Sequence, residues 1–178
     1  FFILALNLFA GYQANGETGL PPLIPMKDFF RNPEKESFQL SPNGRHLAFM
    51  QPWKHRMNVY IQKIGTEKVT RITIAAKRDI AGYFWANNNR IAFIQDKGGD
   101  ENFKLYAVDI DGFNLKELTP FDQVKVQIID DLEDNENEMI IGMNKRDKRI
   151  FDAFRININT GKMKMIAKNP GNIDRWLT

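Results

Sequence analysis

Two serines, Ser37 and Ser41, are the only serine hydroxyls in the sequence that could act as nucleophiles. Nucleophilic serine catalysis asks for a strained G-x-S-x-G elbow and a histidine base oriented by a carboxylate. Ser37 stands in Glu-Ser-Phe and Ser41 in Leu-Ser-Pro, so neither has flanking glycines. Ser41 is expected to brace the turn before Pro42 through its hydroxyl. Of the two histidines, His46 falls within a strand signal and His55 in a loop after Trp53. Both read as packing or surface residues. With no cysteine in the chain, a thiolate nucleophile, a disulfide framework and a cysteine-rich zinc site are excluded. No catalytic residue is assigned.

Cation, phosphate and ligand chemistry fare no better. The acidic run Asp130–Glu138 supplies carboxylates but lacks the sixth-position glycine and ligand spacing of an EF-hand loop. In Asp109-Ile110-Asp111-Gly112 the glycine comes too early, and a β-turn is expected instead. Lys97-Gly98-Gly99-Asp100-Glu101-Asn102 has the glycines of a phosphate cradle without its Gly-Lys-Ser/Thr ending or a following helix. It reads as a hairpin turn. Lys145, Arg146, Lys148 and Arg149 are interrupted by Asp147 and read as an exposed hairpin tip. Trp53, Trp85 and Trp176 could stack on a ligand, but Trp85 and Trp176 fall at equivalent places in a repeat, which favours a structural role. No metal or cofactor is expected.

The elements that must carry these residues are strands. Of the 178 residues, 43% are apolar and 12% aromatic, enough to bury a core and exclude wholesale disorder. The formal charge of +3 is mild and intermixed, so a nucleic-acid footprint is not indicated. Phe1–Ala10 (FFILALNLFA) has the length and apolarity of a signal-peptide core and is short for a membrane span. Residues 1–15 therefore read as a signal-peptide remnant, with cleavage around Ala10–Gly11 or Ala14, and the protein as exported to periplasm or medium. Residues 16–37 form a Gly/Pro-rich linker and entry segment, with one or two helical turns over Met26–Asn32.

Beyond it, a unit repeats. LSPNGRHLAFM from Leu40, WANNNRIAFI from Trp85 and DNENEMIIGM from Asp134 each run from a polar turn into an apolar strand. A second strand follows each, from Asn58, Lys104 and Asp152, turning at Gly65, Gly112 and Gly161. A third begins near Lys68, Leu115 and Lys162. Tyr60, Tyr106 and Phe154 align at spacings of 46 and 48 residues, and the strands alternate with period two. That period is the signature of β-propeller blades. The expected architecture is all-β: blades near 38–78, 79–122 and 123–168, with a fourth opening at 169–178. A propeller ring needs about four to eight blades, so the ring is expected to be unclosed and the chain a fragment.

SPNGRHLAF at 41–49, YFWANNNRIAFIQDKGGDENFKLYAVDIDG at 83–112, LTPF at 118–121 and NPGNIDRWLT at 169–178 resemble exported bacterial serine peptidases of the prolyl oligopeptidase family. The resemblance lies in their N-terminal propeller and covers roughly Pro25 to Thr178. It implies a propeller seated over a C-terminal α/β-hydrolase domain that holds the Ser, Asp and His, a domain with no counterpart in this sequence. It also implies peptide substrates. The SPNG-type turn occurs in TolB-like propellers too, so a free-standing exported propeller that binds a protein partner is the second reading.

Overall fold

The computed structural model describes residues 23–30, 33–132 and 134–176. The signal-peptide reading falls on residues 1–15, outside them. The chain divides into two compact units, Phe1–Arg31 and Asn32–Thr178. In the first, α1 (Met26–Phe30) begins just after Pro25, whose carbonyl accepts the Asp28 amide at 2.9 Å. It is the one α-helix among the described residues.

The second unit is three antiparallel four-stranded sheets. The first comprises β1 (Glu36–Leu40), β2 (His46–Trp53), β3 (Arg56–Lys63) and β4 (Val69–Arg71). The second comprises β5 (Gly82–Asn87), β6 (Arg90–Gln95), β7 (Lys104–Asp109) and β8 (Lys116–Glu117). The third comprises β9 (Val126–Asp130), β10 (Glu138–Asp147), β11 (Ile150–Asn157) and β12 (Met163–Ala167). In each sheet the strands lie side by side in chain order. The register confirms the repeat, because Phe49 pairs with Tyr60, Phe93 with Tyr106 and Ile141 with Phe154. No closed ring forms among the described residues. The architecture is the partial propeller that the repeat predicts.

The outer strands are shorter than the sequence suggests in the first two sheets, and side chains are the reason. After Arg71 and Glu117 the chain makes one more ladder-like bond, Ile72 N to Val59 O at 3.0 Å and Leu118 N to Leu105 O at 2.8 Å. Then the Thr73 and Thr119 hydroxyls, both 2.9 Å away, accept the amides of Val59 and Leu105 in place of backbone carbonyls. Each threonine thereby releases the backbone from the sheet and lets it turn toward the next one.

Two apolar cores stack the sheets. Ala48, Met50, Val59 and Ile61 of the first sheet share a core with Tyr83, Trp85, Ile91 and Phe93 of the second. On the other face of the second sheet, Ala92, Leu105 and Ala107 share a core with Met139, Ile141, Met143 and Phe154 of the third. The middle sheet is thus apolar on both faces, which explains the uninterrupted apolar run from Leu105. A fully buried aliphatic side chain contributes roughly 1.5–3 kcal/mol, so these interfaces dominate the energetics. Two glycines fit the turns against the preceding sheet. Gly112 (φ 88°) would place a Cβ 3.6 Å from Ile72 Cα, and Gly161 (φ 74°) 3.4 Å from the Leu118 carbonyl.

Candidate functional site

The first strands and the turns that follow them line a cleft. Asn43, Asn87 and Asn135 hold equivalent places in these turns, and each side-chain oxygen accepts the amide two residues on, at 3.1, 2.9 and 3.0 Å. These Asx turns fix the entry into β2, β6 and β10. Neighbouring turns are joined, with Asn43 N donating to Asn88 Oδ1 at 2.9 Å and Asn87 Nδ2 to the Glu136 carbonyl at 2.8 Å. The cleft encloses about 620 Å³. Its lining includes Leu40, Phe84 and Trp85 together with Asp131, Asp134 and Glu136, from the β9–β10 loop that the sequence marks as an acidic run. A lining of this kind can guide or hold an extended polar chain by shape and charge.

The serines and histidines are not among the residues that line this cleft. Ser41 Oγ accepts the amides of Arg45 (3.1 Å) and His46 (3.0 Å) and donates to Asn43 Oδ1 (2.8 Å), so its hydroxyl braces the turn before β2. Ser37 sits in β1 at positive φ (54°), and its carbonyl accepts the Tyr83 hydroxyl. That side chain is buried, and burial pushes the pKa of its phenol up. His46 opens β2, while Lys54 and His55 form the two-residue β2–β3 turn, at φ 49° and 63°.

Charged groups elsewhere are matched in pairs. Arg78 clamps the buried Asp96 through two bonds of 2.9 and 3.1 Å, and this bond lowers the Asp96 pKa. Asp96 also accepts the Glu101 amide at 3.3 Å, which fixes the Lys97–Asn102 segment as the β6–β7 connection. In the basic group, Arg146 takes Asp152 at 2.9 and 2.8 Å and the Asn169 carbonyl at 2.8 Å. Arg149 takes Asp147 and holds that carboxyl down at about 2. Lys148 donates to the Gln123 carbonyl, and Lys145 lies 3.7 Å over the Phe121 ring. These cations brace loops rather than wait for an anion. Asp109 accepts from Arg90 and, through its backbone carbonyl, from the Gly112 amide at 2.8 Å, closing the expected turn. Among the described residues no three His, Asp or Glu side chains gather as a metal site would require.

The tryptophans differ in detail. Trp85 Nε1 donates to the Gln39 carbonyl at 3.3 Å, a bond to the first strand of the preceding sheet. Trp176 Nε1 donates to the Phe151 carbonyl at 2.8 Å, on the third strand of its preceding sheet. Both are structural, but they are not equivalent in place. Sequence reading missed the cleft as a site. The three Asx turns were its signal, since a repeated turn at one end of every unit must gather residues at one mouth.

Three stacked four-stranded meanders with a 46–48-residue repeat define the class: a partial β-propeller. No family model matches the chain. Dipeptidyl aminopeptidase BIII of Pseudoxanthomonas mexicana is 31% identical over 157 residues, which make up 87% of this chain and 23% of that protein. The chain spans less than a quarter of the length of the curated relatives it matches. Among solved structures, acylaminoacyl peptidase of Pyrococcus horikoshii superimposes with a TM-score of 0.54 at 12% identity, over 76% of this chain and 25% of that one. TolB from Acinetobacter baumannii superimposes with a TM-score of 0.51 at 17% identity, over 77% of this chain and 33% of that one. At these identities the structural likeness is one of fold. Together these matches bear out the resemblance to the propeller of a peptidase.

Proposed function

We propose that this chain is the non-catalytic N-terminal propeller portion of an exported serine peptidase, where it restricts and orients peptide access to a C-terminal α/β-hydrolase domain. The observation that carries this reading is the 31% identity to a dipeptidyl aminopeptidase over 87% of the chain. The cleft between the first strands suits the role: a passage walled by fixed turns admits an extended peptide and turns away a folded protein. Blades near 38–78, 79–122 and 123–168, an entry segment at 16–37 and the opening of a further blade at 169–178 are the corresponding domain plan. Export rests on the Phe1–Ala10 segment. Among the described residues no helix is long and apolar enough to cross a membrane.

The likeness to TolB supports a second reading, a free-standing exported propeller that binds a protein partner. One experiment separates the two. The complete product of the source gene is assayed on chromogenic dipeptide and oligopeptide substrates alongside a serine-directed fluorophosphonate probe. Turnover with labelling outside residues 1–178 is expected. An inert, unlabelled product would favour the partner-binding propeller, and labelling at Ser37 or Ser41 would overturn the non-catalytic role.

A further inference from the structure

One station carries a charge in the second sheet and none in the third. Gln95 pairs with Lys104 and Met143 with Asp152, so the residues that follow them, Asp96 and Asn144, are equivalent. Both are buried, at 5% and 6% exposed. Each ties together two segments, the turn after its own strand and the connection arriving from the preceding sheet. Asn144 does so with neutral groups: its Oδ1 accepts the Lys125 amide at 2.7 Å, and its Nδ2 donates to the Lys148 carbonyl at 3.0 Å. Asp96 does so with charge. Its two oxygens accept from Arg78 at 2.9 and 3.1 Å, and Oδ2 also accepts the Glu101 amide at 3.3 Å. Arg78 lies on the connection between β4 and β5, and Lys125 on the connection between β8 and β9.

A carboxylate also holds the other end of the first connection. Asp79 accepts the Met57 amide at 2.6 Å and faces Arg56 at 3.4 Å. The turn itself packs on the clasp, since a Cβ at Gly99 would lie 3.7 Å from the Arg78 guanidinium. The remaining charges about the pair are Lys97, Asp100 and Glu101 on that turn and Asp79 beside Arg78. Lys104, opposite Gln95 on β7, is engaged by Glu117 at 3.0 Å and Asp122 at 3.5 Å. Asp122 lies on the second connection, but its side chain is 97% exposed, so solvent screens that pair.

A carboxylate clamped by a guanidinium loses its charge-assisted bonds on protonation, whereas an asparagine amide does not titrate. We infer that the connection between the first and second sheets and the Lys97–Asn102 turn form one acid-released clasp: protonation of Asp96 frees both segments together, while the connection between the second and third sheets, held by Asn144, stays closed. The apolar core shared by the first two sheets does not depend on this charge, so the clasp opens as a local unfolding without the sheets parting. Arg78 holds the Asp96 carboxyl below its ordinary range. The clasp is therefore complete above the unfolded value of ~3.9 and is lost as pH falls through the lowered folded value. The inference does not depend on the peptidase reading.

The test is hydrogen exchange of the complete gene product, read by mass spectrometry from pH 5 toward pH 2 and corrected for the intrinsic exchange rate. The Ala81 amide, bonded to the Ile94 carbonyl at 3.0 Å, and the Glu101 amide report the clasp, and the Lys125 amide reports its neutral counterpart. Protection of the peptides that carry Ala81 and Glu101 is expected to fall by about tenfold or more, the size of a lost buried charge-assisted bond. The peptide that carries Lys125 is expected to keep its protection at the same pH. Loss in all three at one pH overturns the inference, because the molecule is then unfolding as a whole, and retention in all three overturns it as well. Asp96→Asn, with its near-ultraviolet circular dichroism retained, is expected to show the open clasp at pH 7 and no further opening in acid; a clasp still closed at pH 7 overturns the inference. Should that variant fail to fold, Arg78→Gln at the 44% exposed partner gives the same reading: the Ala81 peptide opens at pH 7, and one that stays closed overturns the inference.

Discussion

Arg90 Nε donates to the Ile158 carbonyl at 3.2 Å, joining the second sheet to the third across 68 residues of chain. The rest of the guanidinium is also engaged, by Asp109 and by the Asn114 carbonyl at 3.1 Å, and the side chain is only 7% exposed. A buried arginine at a sheet interface thus acts as a three-way strut, with every contact made by a different segment.

Arg90→Met is expected to destabilise the protein by about 3 kcal/mol, because removing one member of a buried ion pair strands the other. Urea unfolding reads this directly. A change within experimental error would mean that solvent already satisfies Asp109.

Asn58 is fully buried and ties the first sheet to the connection that leads to the second. Its Oδ1 accepts the Ala75 amide at 2.7 Å and the Thr73 hydroxyl at 2.9 Å, while Nδ2 donates to the Ala75 carbonyl at 2.8 Å. Asn58→Ala leaves these groups unpaired, at roughly 1–3 kcal/mol for a stranded buried group. Asn58→Asp is expected to cost more at neutral pH, since it adds a buried charge and removes the donor. Thermal unfolding of the two variants side by side checks the order.

The same station holds Asp152 in the third sheet, where Arg146 lowers its pKa. A carboxyl depressed in the folded state contributes stability that is complete above its unfolded value of ~3.9 and is lost as pH falls through the lowered folded value. Asp96, lowered by Arg78, acts in the same sense. Urea midpoints are therefore expected to fall from pH 5 toward pH 2, and Asp152→Asn should flatten that slope while lowering stability at neutral pH. An undiminished slope in Asp152→Asn would assign acid sensitivity to other groups.

Gly161→Ala and Gly44→Ala compare strain with and without crowding. Both glycines have positive φ, 74° and 66°, so alanine pays about 1–2 kcal/mol of left-handed backbone at either place. At Gly44 the new methyl meets open space, whereas at Gly161 it comes within 3.4 Å of the Leu118 carbonyl. The larger fall in Tm is expected at Gly161. Equal falls would show that the turn against Leu118 gives way freely.

Local chemistry by itself determined the strands, their grouping and their turns. Period-two alternation places side chains on opposite faces, so Phe154, Ile156 and Ile158 declare a strand whatever surrounds them, and Gly65, Gly112 and Gly161 mark turns through a backbone conformation that side chains resist. Ser41 could be read as a turn brace for the same reason, since its acceptors and donors lie within five residues. What stacks on what was decided only by the tertiary structure. Arg90 looks like any surface arginine until Ile158 arrives beside it, and Asn58 reads only as the start of a strand until Ala75 returns to it. The outer strands ended early because Thr73 and Thr119 found amides on β3 and β7, a choice invisible in the sequence about them. Trp176 matched Trp85 in sequence but took Phe151 instead of a first strand as its partner. The cleft, too, exists only because three turns set nearly fifty residues apart are brought to one mouth. Alternation and turn preference act over two to four residues and can be read along the chain, whereas hydrogen-bond satisfaction and burial depend on distant groups that only the folded stack brings within reach.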